Sequence, residues 1–527
     1  MRHPASSCEG SCARCEVTFT YHRRMRRNTL VIGFLLVVVS CGGDADVVLV
    51  DSETTESSSV ATDSTDAPSD GDTTAAGTID WEKCGPVECG TLEVPLDYSD
   101  PDSDTISIYL ERRLANDPDK RIGSLLMNPG GPGFGGSILA RAADQILSEG
   151  LLDHFDIVGF DPRGTGESEP AIDCTDDYDY YFAQGDITPD DDTEAQFNID
   201  LTKEFIDECI TKNGEFIDHV GTNNVARDMD RIRQALGEEK ISYFGLSYGS
   251  ELGAVWATMF PDTVRAAVLD GAADPNVGSV EASVQQKRGF EQALDAFLAD
   301  CSATRSCKFH NDGDAEGAFD RLMAELDENP LPTEDGRPEL TRGMASTSVA
   351  QALYDESYWD TLAAGLAEAA DGNGSILLAL FDAYFQRQPN GSYGNELEAF
   401  IAITCADEDE RFTIEEADSF VPRYQEVAPR MSPETQGNYG CTFWPVAIDP
   451  RVDVTGRGAG PIVVIGTTGD PSTPLDSTRN MVKALEGGRL VVVTANQHTG
   501  YTASKCARDV VDDYLIDLKA PNNDVEC

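Results

Sequence analysis

The chain has 527 residues, enough to bury a large core and to hold more than one structural unit. Against 39 Lys and Arg it carries 94 Asp and Glu, a formal charge of −55. Nucleic acid and anionic membrane surfaces would be repelled, which leaves a solvated acidic surface, or a cation-rich substrate, as the use of that charge.

A basic segment from Met25 runs into ten apolar residues, Leu30 to Val39. That run is short for a bilayer span and right for a secretory signal, so residues 1–40 are read as a signal peptide, with Met25 as an alternative start. The run ends in Val38-Val39-Ser40-Cys41-Gly42, which resembles a bacterial lipobox with Cys41 as the lipidated residue; ordinary signal cleavage nearby competes with this reading. Cys8, Cys12 and Cys15 have the look of an iron–sulfur triplet, but they precede the signal and receive no function. Residues 42–80 contain ten acids and no base among Ser, Thr, Ala and Gly. Such a segment buries too little apolar surface to fold, so residues 41–80 read as an anchor cysteine followed by a disordered acidic linker.

Ten cysteines follow from Cys84 onward, and an even number in an exported chain reads as disulfides rather than metal ligands. Connectivity does not follow from counting. Nearest-neighbour pairing is preferred because each pair closes a short or moderate loop: Cys84–Cys89, Cys174–Cys209, Cys301–Cys307, Cys405–Cys441 and Cys506–Cys527.

From residue 81 the pattern is one of strands and helices. Thr91 to Leu96 and Thr105 to Arg112 alternate as an antiparallel pair opening a sheet, and Gly123 to Asn128 is a buried strand. That strand enters Pro129-Gly130-Gly131-Pro132-Gly133-Phe134-Gly135-Gly136-Ser137. The spacing Gly131-x-Gly133-x-x-Gly136 formally matches a dinucleotide fingerprint, but Pro132 removes a backbone donor where a pyrophosphate needs one. An oxyanion loop uses the same glycines to turn N–H groups inward and is the preferred reading. Phe155 to Asp161 is the next strand, followed by a turn with a buried-looking Arg163; residues 176–195 read as an irregular acidic insertion. Val225 to Leu236 has helical spacing and stops at Gly237.

The stretch 240–253 then reads as a strand, a sharp turn and a helix. Within it Gly245-Leu246-Ser247-Tyr248-Gly249 fits the G-x-S-x-G nucleophile elbow, in which a strained turn lifts the Ser247 hydroxyl clear of the sheet. Val264 to Asp270 is another strand. Alternation lapses between residues 275 and 455, where helical periods such as 290–298, 315–326 and 358–370 indicate a helical cap. It resumes at Gly460 to Gly466 and Arg489 to Thr494. The expected architecture is an α/β-hydrolase fold, a mostly parallel sheet with helices on both faces. The core comprises residues 81–274 and 456–527, with the cap at 275–455 between them.

A serine hydroxyl needs a base beside it. Of six histidines, His3 and His22 belong to the signal, and His154 and His219 precede the serine, contrary to the chain order Ser, acid, His of such enzymes. His310 lies within the cap, whereas His498 follows the last apolar strand and is the preferred base. Asp470, after the preceding strand in a turn held by two prolines, is the preferred acid; Asp270, after the strand beside the elbow, is its rival.

Six segments taken together resemble the tripeptidyl-aminopeptidase-like branch of the proline iminopeptidase family, exported actinobacterial serine exopeptidases of the α/β-hydrolase fold. They are Asn128 to Gly133, Phe160 to Ser168, Gly245 to Ser250, Val268 to Gly271, Gly469 to Pro474 and Gln497 to Tyr501. The resemblance runs from about residue 80 to the C-terminus and implies Ser247 as nucleophile, Asp470 as acid and His498 as base. It further implies an oxyanion hole from the backbone N–H groups of Gly131 and Tyr248. Gln497 departs from the glycine that many relatives carry before the histidine, which touches the pocket wall rather than the triad. Because an exopeptidase must hold a charged amine at a fixed reach, Asp407, Glu408 and Glu410, near the family-like Cys405 segment, are the candidate amine-binding carboxylates.

The expected protein is therefore an exported, monomeric serine peptidase with neither metal nor cofactor. Its partner is a peptide with a free N-terminus, and it meets membrane only through a lipid anchor. An esterase or amidase of the same fold, acting on acylated small molecules or envelope lipids, uses the same triad and stands as the alternative. A surface-binding protein that has lost the chemistry is the reading from another class.

Overall fold

The computed structural model describes residues 77–100 and 102–527. The signal peptide, the alternative start at Met25, the lipidation site Cys41 and most of the acidic linker lie outside them. Among the described residues no helix is long and apolar enough to cross a membrane.

Among the described residues ten strands form one sheet: β1 (Glu82–Cys84), β2 (Val87–Pro95), β3 (Thr105–Arg113), β4 (Gly123–Asn128), β5 (Phe155–Phe160), β6 (Ile241–Leu246), β7 (Val264–Asp270), β8 (Ile462–Thr467), β9 (Gly488–Val493) and β10 (Val525–Glu526). Their order is β1-β2-β3-β5-β4-β6-β7-β8-β9-β10. Pairing is antiparallel from β1 through β3 to β5 and parallel from β5 to β10. Every residue of β4, β5 and β8 is buried, as parallel strands covered on both faces require. Successive side chains go to opposite layers. Leu125, Met127 and Phe244 pack with the helices Ile138–Ile146 and Lys505–Asp517, while Leu126 and Tyr243 pack with Thr222–Ala235 and Tyr248–Met259.

Two stretches differ from what the sequence suggests. Residues 176–195 are irregular over 184–191 but not throughout: the helices Tyr178–Ala183 and Asp192–Asn213 begin there, and the acids cap them. Asp177 accepts from Tyr180 N, and Asp191 accepts from the N–H groups of Thr193 and Glu194. The inserted segment between β7 and β8 is helical, but it is built in two parts. Helices from Ser279–Ala303 to Ser375–Tyr384 enclose their own apolar core around Leu294, Phe297, Phe319, Val349, Leu362 and Phe381. The helix Glu396–Asp407 instead contributes Ala399, Ala402 and Ile403 to the core under the sheet. Cys84–Cys89, Cys174–Cys209, Cys301–Cys307, Cys405–Cys441 and Cys506–Cys527 are joined as disulfides.

Arg163 is a structural arginine. It is fully buried against an equally buried Asp228, with Nε–Oδ2 at 2.7 Å and Nη2–Oδ1 at 2.6 Å. It also donates to the carbonyls of Leu96, His219 and Pro95, while Tyr98 donates to Asp228. Removing one partner of such a pair strands a charge in the interior. Asp228→Asn is expected to lower the unfolding free energy by about 3–5 kcal/mol, seen as a lower urea midpoint.

Candidate active site

The strands β6, β7, β8 and β9 lie side by side and parallel, so the loops leaving their C-terminal ends meet along one sheet edge. Ser247 leaves β6, Asp270 closes β7, Asp470 follows β8 and His498 follows β9.

At the elbow Ser247 holds φ 55° and ψ −127°, a conformation costing a non-glycine residue roughly 1–3 kcal/mol. Its N–H donates to Asp270 O at 2.8 Å. Side chains at the flanking glycines would not fit: a Cβ at Gly245 would overlap Gly249 O, and one at Gly249 would lie 2.7 Å from Asn128 O. The loop after β4 packs directly on this turn. A Cβ at Gly130 would sit 2.8 Å from Ser247 Cβ and 2.9 Å from Tyr248 N, and Gly130 N donates to Asn128 Oδ1. Tyr248 is the first residue of its helix, so its N–H has no acceptor within that helix. Gly131 follows with φ +112°. Gly133 closes on Glu396 O, and Gly136 on Phe160 O. These glycines make room for protein backbone, which sets aside the dinucleotide reading of the loop.

His498 Nδ1 lies 2.9 Å from both Asp470 oxygens. That bond puts the ring proton on Nδ1 and leaves Nε2 as the basic nitrogen. Nε2 is buried and has no hydrogen-bond partner among the described residues, so it is free to take a proton. Burial pulls the imidazole pKa down, but the Asp470 charge and hydrogen bond outweigh it and the net shift is upward. Asp470 is itself held by Ser472 N, Thr473 N and Thr473 Oγ1 at 3.0, 2.8 and 3.0 Å. Asp270 is occupied differently. Its two oxygens accept from Gly500 N and Tyr501 N, so the imidazole has Asp470 as its acid. The cap reaches the histidine as well: Tyr354 O accepts from His498 N at 2.8 Å, and the two rings meet edge to face at 5.6 Å.

Among the described residues the remaining histidines lie elsewhere. His154 Nδ1 meets Gly150 O, His310 Nδ1 meets Cys301 O, and His219 ends the 3-10 segment Gly214–His219.

The three candidate amine-binding acids separate. Asp407 gives one oxygen to Thr222 N at 2.6 Å and the other to Thr222 Oγ1, which also bonds Tyr248 OH. Its carboxylate is thereby committed to the elbow's support rather than left open for a substrate, and burial raises its pKa to about 7. Glu408 is half-buried and also shifted upward by burial, and Glu410 is exposed. Arg451 serves this group, paired with Glu251 at 2.8 Å and feeling both Asp407 and Glu408, and Arg411 donates to the carbonyls of Glu408 and Glu410 and also feels the Glu408 charge.

Sequence reasoning passed over Thr473, Tyr354 and Thr222. Thr473 stands inside the Gly469 to Pro474 segment, where a hydroxyl three residues after the acid was a readable sign. No local pattern marks Tyr354 or Thr222, which are brought in by tertiary packing.

Residues 123–315 match the family described as alpha/beta hydrolase fold, and residues 430–527 match the one described as TAP-like protein. The chain is 36% identical over 484 residues to the serine protease Hip1 of Mycobacterium tuberculosis, covering 85% of this chain and 91% of that protein. It is 33% identical over 461 residues to carboxylesterase B of the same organism, covering 84% and 86%. To the tripeptidyl aminopeptidase of Streptomyces lividans it is 30% identical over 471 residues, covering 85% and 86%. The chain therefore belongs to the TAP-like branch of the α/β-hydrolase family and is a serine hydrolase.

Proposed function

We propose that the protein is an exported serine exopeptidase that cleaves short peptides from the free N-termini of its substrates. The observation that carries the chemistry is the doubly bonded Asp470–His498 pair, with Nε2 unpartnered on the sheet edge that also bears Ser247. In the reaction Ser247 Oγ attacks the scissile carbonyl and passes its proton to His498 Nε2. The carbonyl oxygen, now negative, is met by the N–H groups of Gly131 and Tyr248. As the C–N bond breaks, His498 returns the proton to the leaving amine, and an acyl group remains on Ser247. Water, deprotonated by the same imidazole, then releases the peptide.

Amine recognition is assigned to Glu408, with Glu410 at the outer edge. Glu251, Asp407 and Glu408 act on Arg451, and Arg411 also acts on Glu408 while donating to the Glu408 and Glu410 carbonyls; with Glu410 beside Glu408 the carboxylates outnumber the two guanidiniums, which suits an ammonium group. Export is supported by five disulfides, which belong to oxidising compartments. Anchoring through Cys41 and a monomeric state complete the proposal. A diacylglyceryl mass on a mature N-terminal Cys41 is the expected result for the anchor.

The test compares a tripeptidyl-aminomethylcoumarin, its N-acetylated form and a nitrophenyl ester. A charge-assisted contact to the amine predicts about a ten- to hundredfold preference in kcat/KM for the free peptide. Glu408→Gln should raise its KM about tenfold with the ester unaffected. Equal turnover of free and blocked peptides would remove the exopeptidase assignment. Fast ester turnover with an untouched amide would favour the esterase reading, which the relative named carboxylesterase B supports.

A further inference from the structure

A second carboxylate stands beside the Asp470–His498 pair, and the reaction above gives it no task. Asp270 is fully buried at the end of β7, between the strands that deliver the nucleophile and the acid. No lysine or arginine is among the groups acting on it; what offsets its burial is first two backbone N–H groups, Gly500 to Oδ1 at 2.7 Å and Tyr501 to Oδ2 at 2.8 Å, and then the nearby His498. Those donors lie two and three residues beyond His498. Between them and the histidine, Thr499 holds φ +71°, a left-handed conformation that a β-branched residue adopts only when its surroundings impose it.

The same residue reaches the nucleophile through its backbone, since Asp270 O accepts from Ser247 N at 2.8 Å. Gly271, the next residue, runs against the imidazole so closely that a Cβ there would lie 2.9 Å from His498 Cε1. The far side of the loop is closed by Tyr501, whose ring meets Phe244 of β6 edge to face at 5.1 Å. One residue thus touches the backbones of both the elbow and the histidine loop, and its side chain supplies the acceptors that a strained turn needs.

We propose that Asp270 is a positioning residue: its carboxylate clamps residues 500 and 501, holds Thr499 in its left-handed turn, and so fixes the His498 imidazole against Asp470 and in reach of Ser247. This rests on the Ser247, Asp470 and His498 assignment. An asparagine at this position keeps one acceptor but turns an N–H₂ toward the other donor, so one of the two bonds must break and the loop loosens. The imidazole would also lose the field of one of the two carboxylates that face it, Asp470 and Asp270; Tyr354, its other ring neighbour, is neutral at working pH.

The experiment follows hydrolysis of p-nitrophenyl acetate by wild type, Asp270→Asn and Ser247→Ala across pH. For Asp270→Asn we expect kcat lower by about 10- to 100-fold with KM within about twofold, as for a catalytic group displaced by a fraction of an ångström. The acidic limb of kcat/KM should also move to lower pH, a change that mere loss of stability would not produce. Because Asp270→Asn can also impair folding, hydrogen exchange of the wild-type protein gives a second reading: the Gly500 and Tyr501 amides should exchange as slowly as those of β7. Near-normal kcat with an unmoved limb in a folded Asp270→Asn protein, or fast exchange of both amides, would overturn the proposal while leaving the triad intact. An active Ser247→Ala protein would instead overturn the triad on which it rests.

Discussion

Ser247→Ala is expected to lower kcat by about 10⁴- to 10⁶-fold on any substrate the enzyme accepts, with KM little changed. The expectation follows from how little else the hydroxyl does. Ser247 keeps its φ of 55° through its neighbours: its N–H is held by Asp270 O, its carbonyl accepts from Ser250 N at 2.8 Å, and Gly130 presses against its Cβ. Alanine meets the same backbone demands, so the turn, the Tyr248 N–H and the Asp470–His498 pair all remain. Only the atom that attacks is lost. Residual turnover would come from bound water in front of an intact oxyanion hole, which still contributes in such variants. Steady-state rates on the free tripeptide substrate, alongside an unchanged urea midpoint, check this result.

Asp470→Asn is expected to cost about 10⁴-fold in kcat at pH 7. With a carboxylate at 2.9 Å, Nδ1 can only donate, and the lone pair therefore sits on Nε2. A carboxamide held by the same Ser472 and Thr473 donors would keep its oxygen toward them and present its N–H₂ to the ring. Nδ1 would then have to accept, the proton would move to Nε2, and the base would be blocked by its own hydrogen. The pH dependence carries a second sign. In wild type the Asp470 charge holds the imidazole above its usual value near 6.5, so activity is lost as pH falls through a limb lying above that value. Removing the charge should move the limb to lower pH even as the plateau falls. A plateau within tenfold of wild type would mean that another group orients the ring.

Much of this site could be read before any coordinates. The elbow was legible because strained backbone leaves a strict mark: positive φ at Ser247 with two glycines that tolerate no Cβ. The strands were legible because β4, β5 and β8, buried on every residue, are mostly apolar, with Ser124, Asn128, Asp156 and Thr467 as the polar exceptions. His498 and Asp470 followed from chain order and loop position after β9 and β8. Acidic runs were harder to read, since an Asp that caps a helix and an Asp in a loop have the same letter; residues 176–195 conceal two caps in that way. The role of Asp407 was also hidden, because its partner Thr222 is 185 residues away and joins it only through the packing of the helix Glu396–Asp407. For the same reason no pattern in the sequence separates that helix, which belongs to the main core, from the helices that enclose a core of their own.

The account stands on Ser247, Asp470 and His498 acting as one cluster. The direct test is to treat the intact protein with a fluorophosphonate and map the adduct by peptide mass spectrometry, in wild type and in His498→Ala. A single adduct on Ser247, formed at least about 10³-fold more slowly without the imidazole, is the predicted result. An adduct on a different serine, or equally fast labelling of Ser247 in His498→Ala, would contradict it.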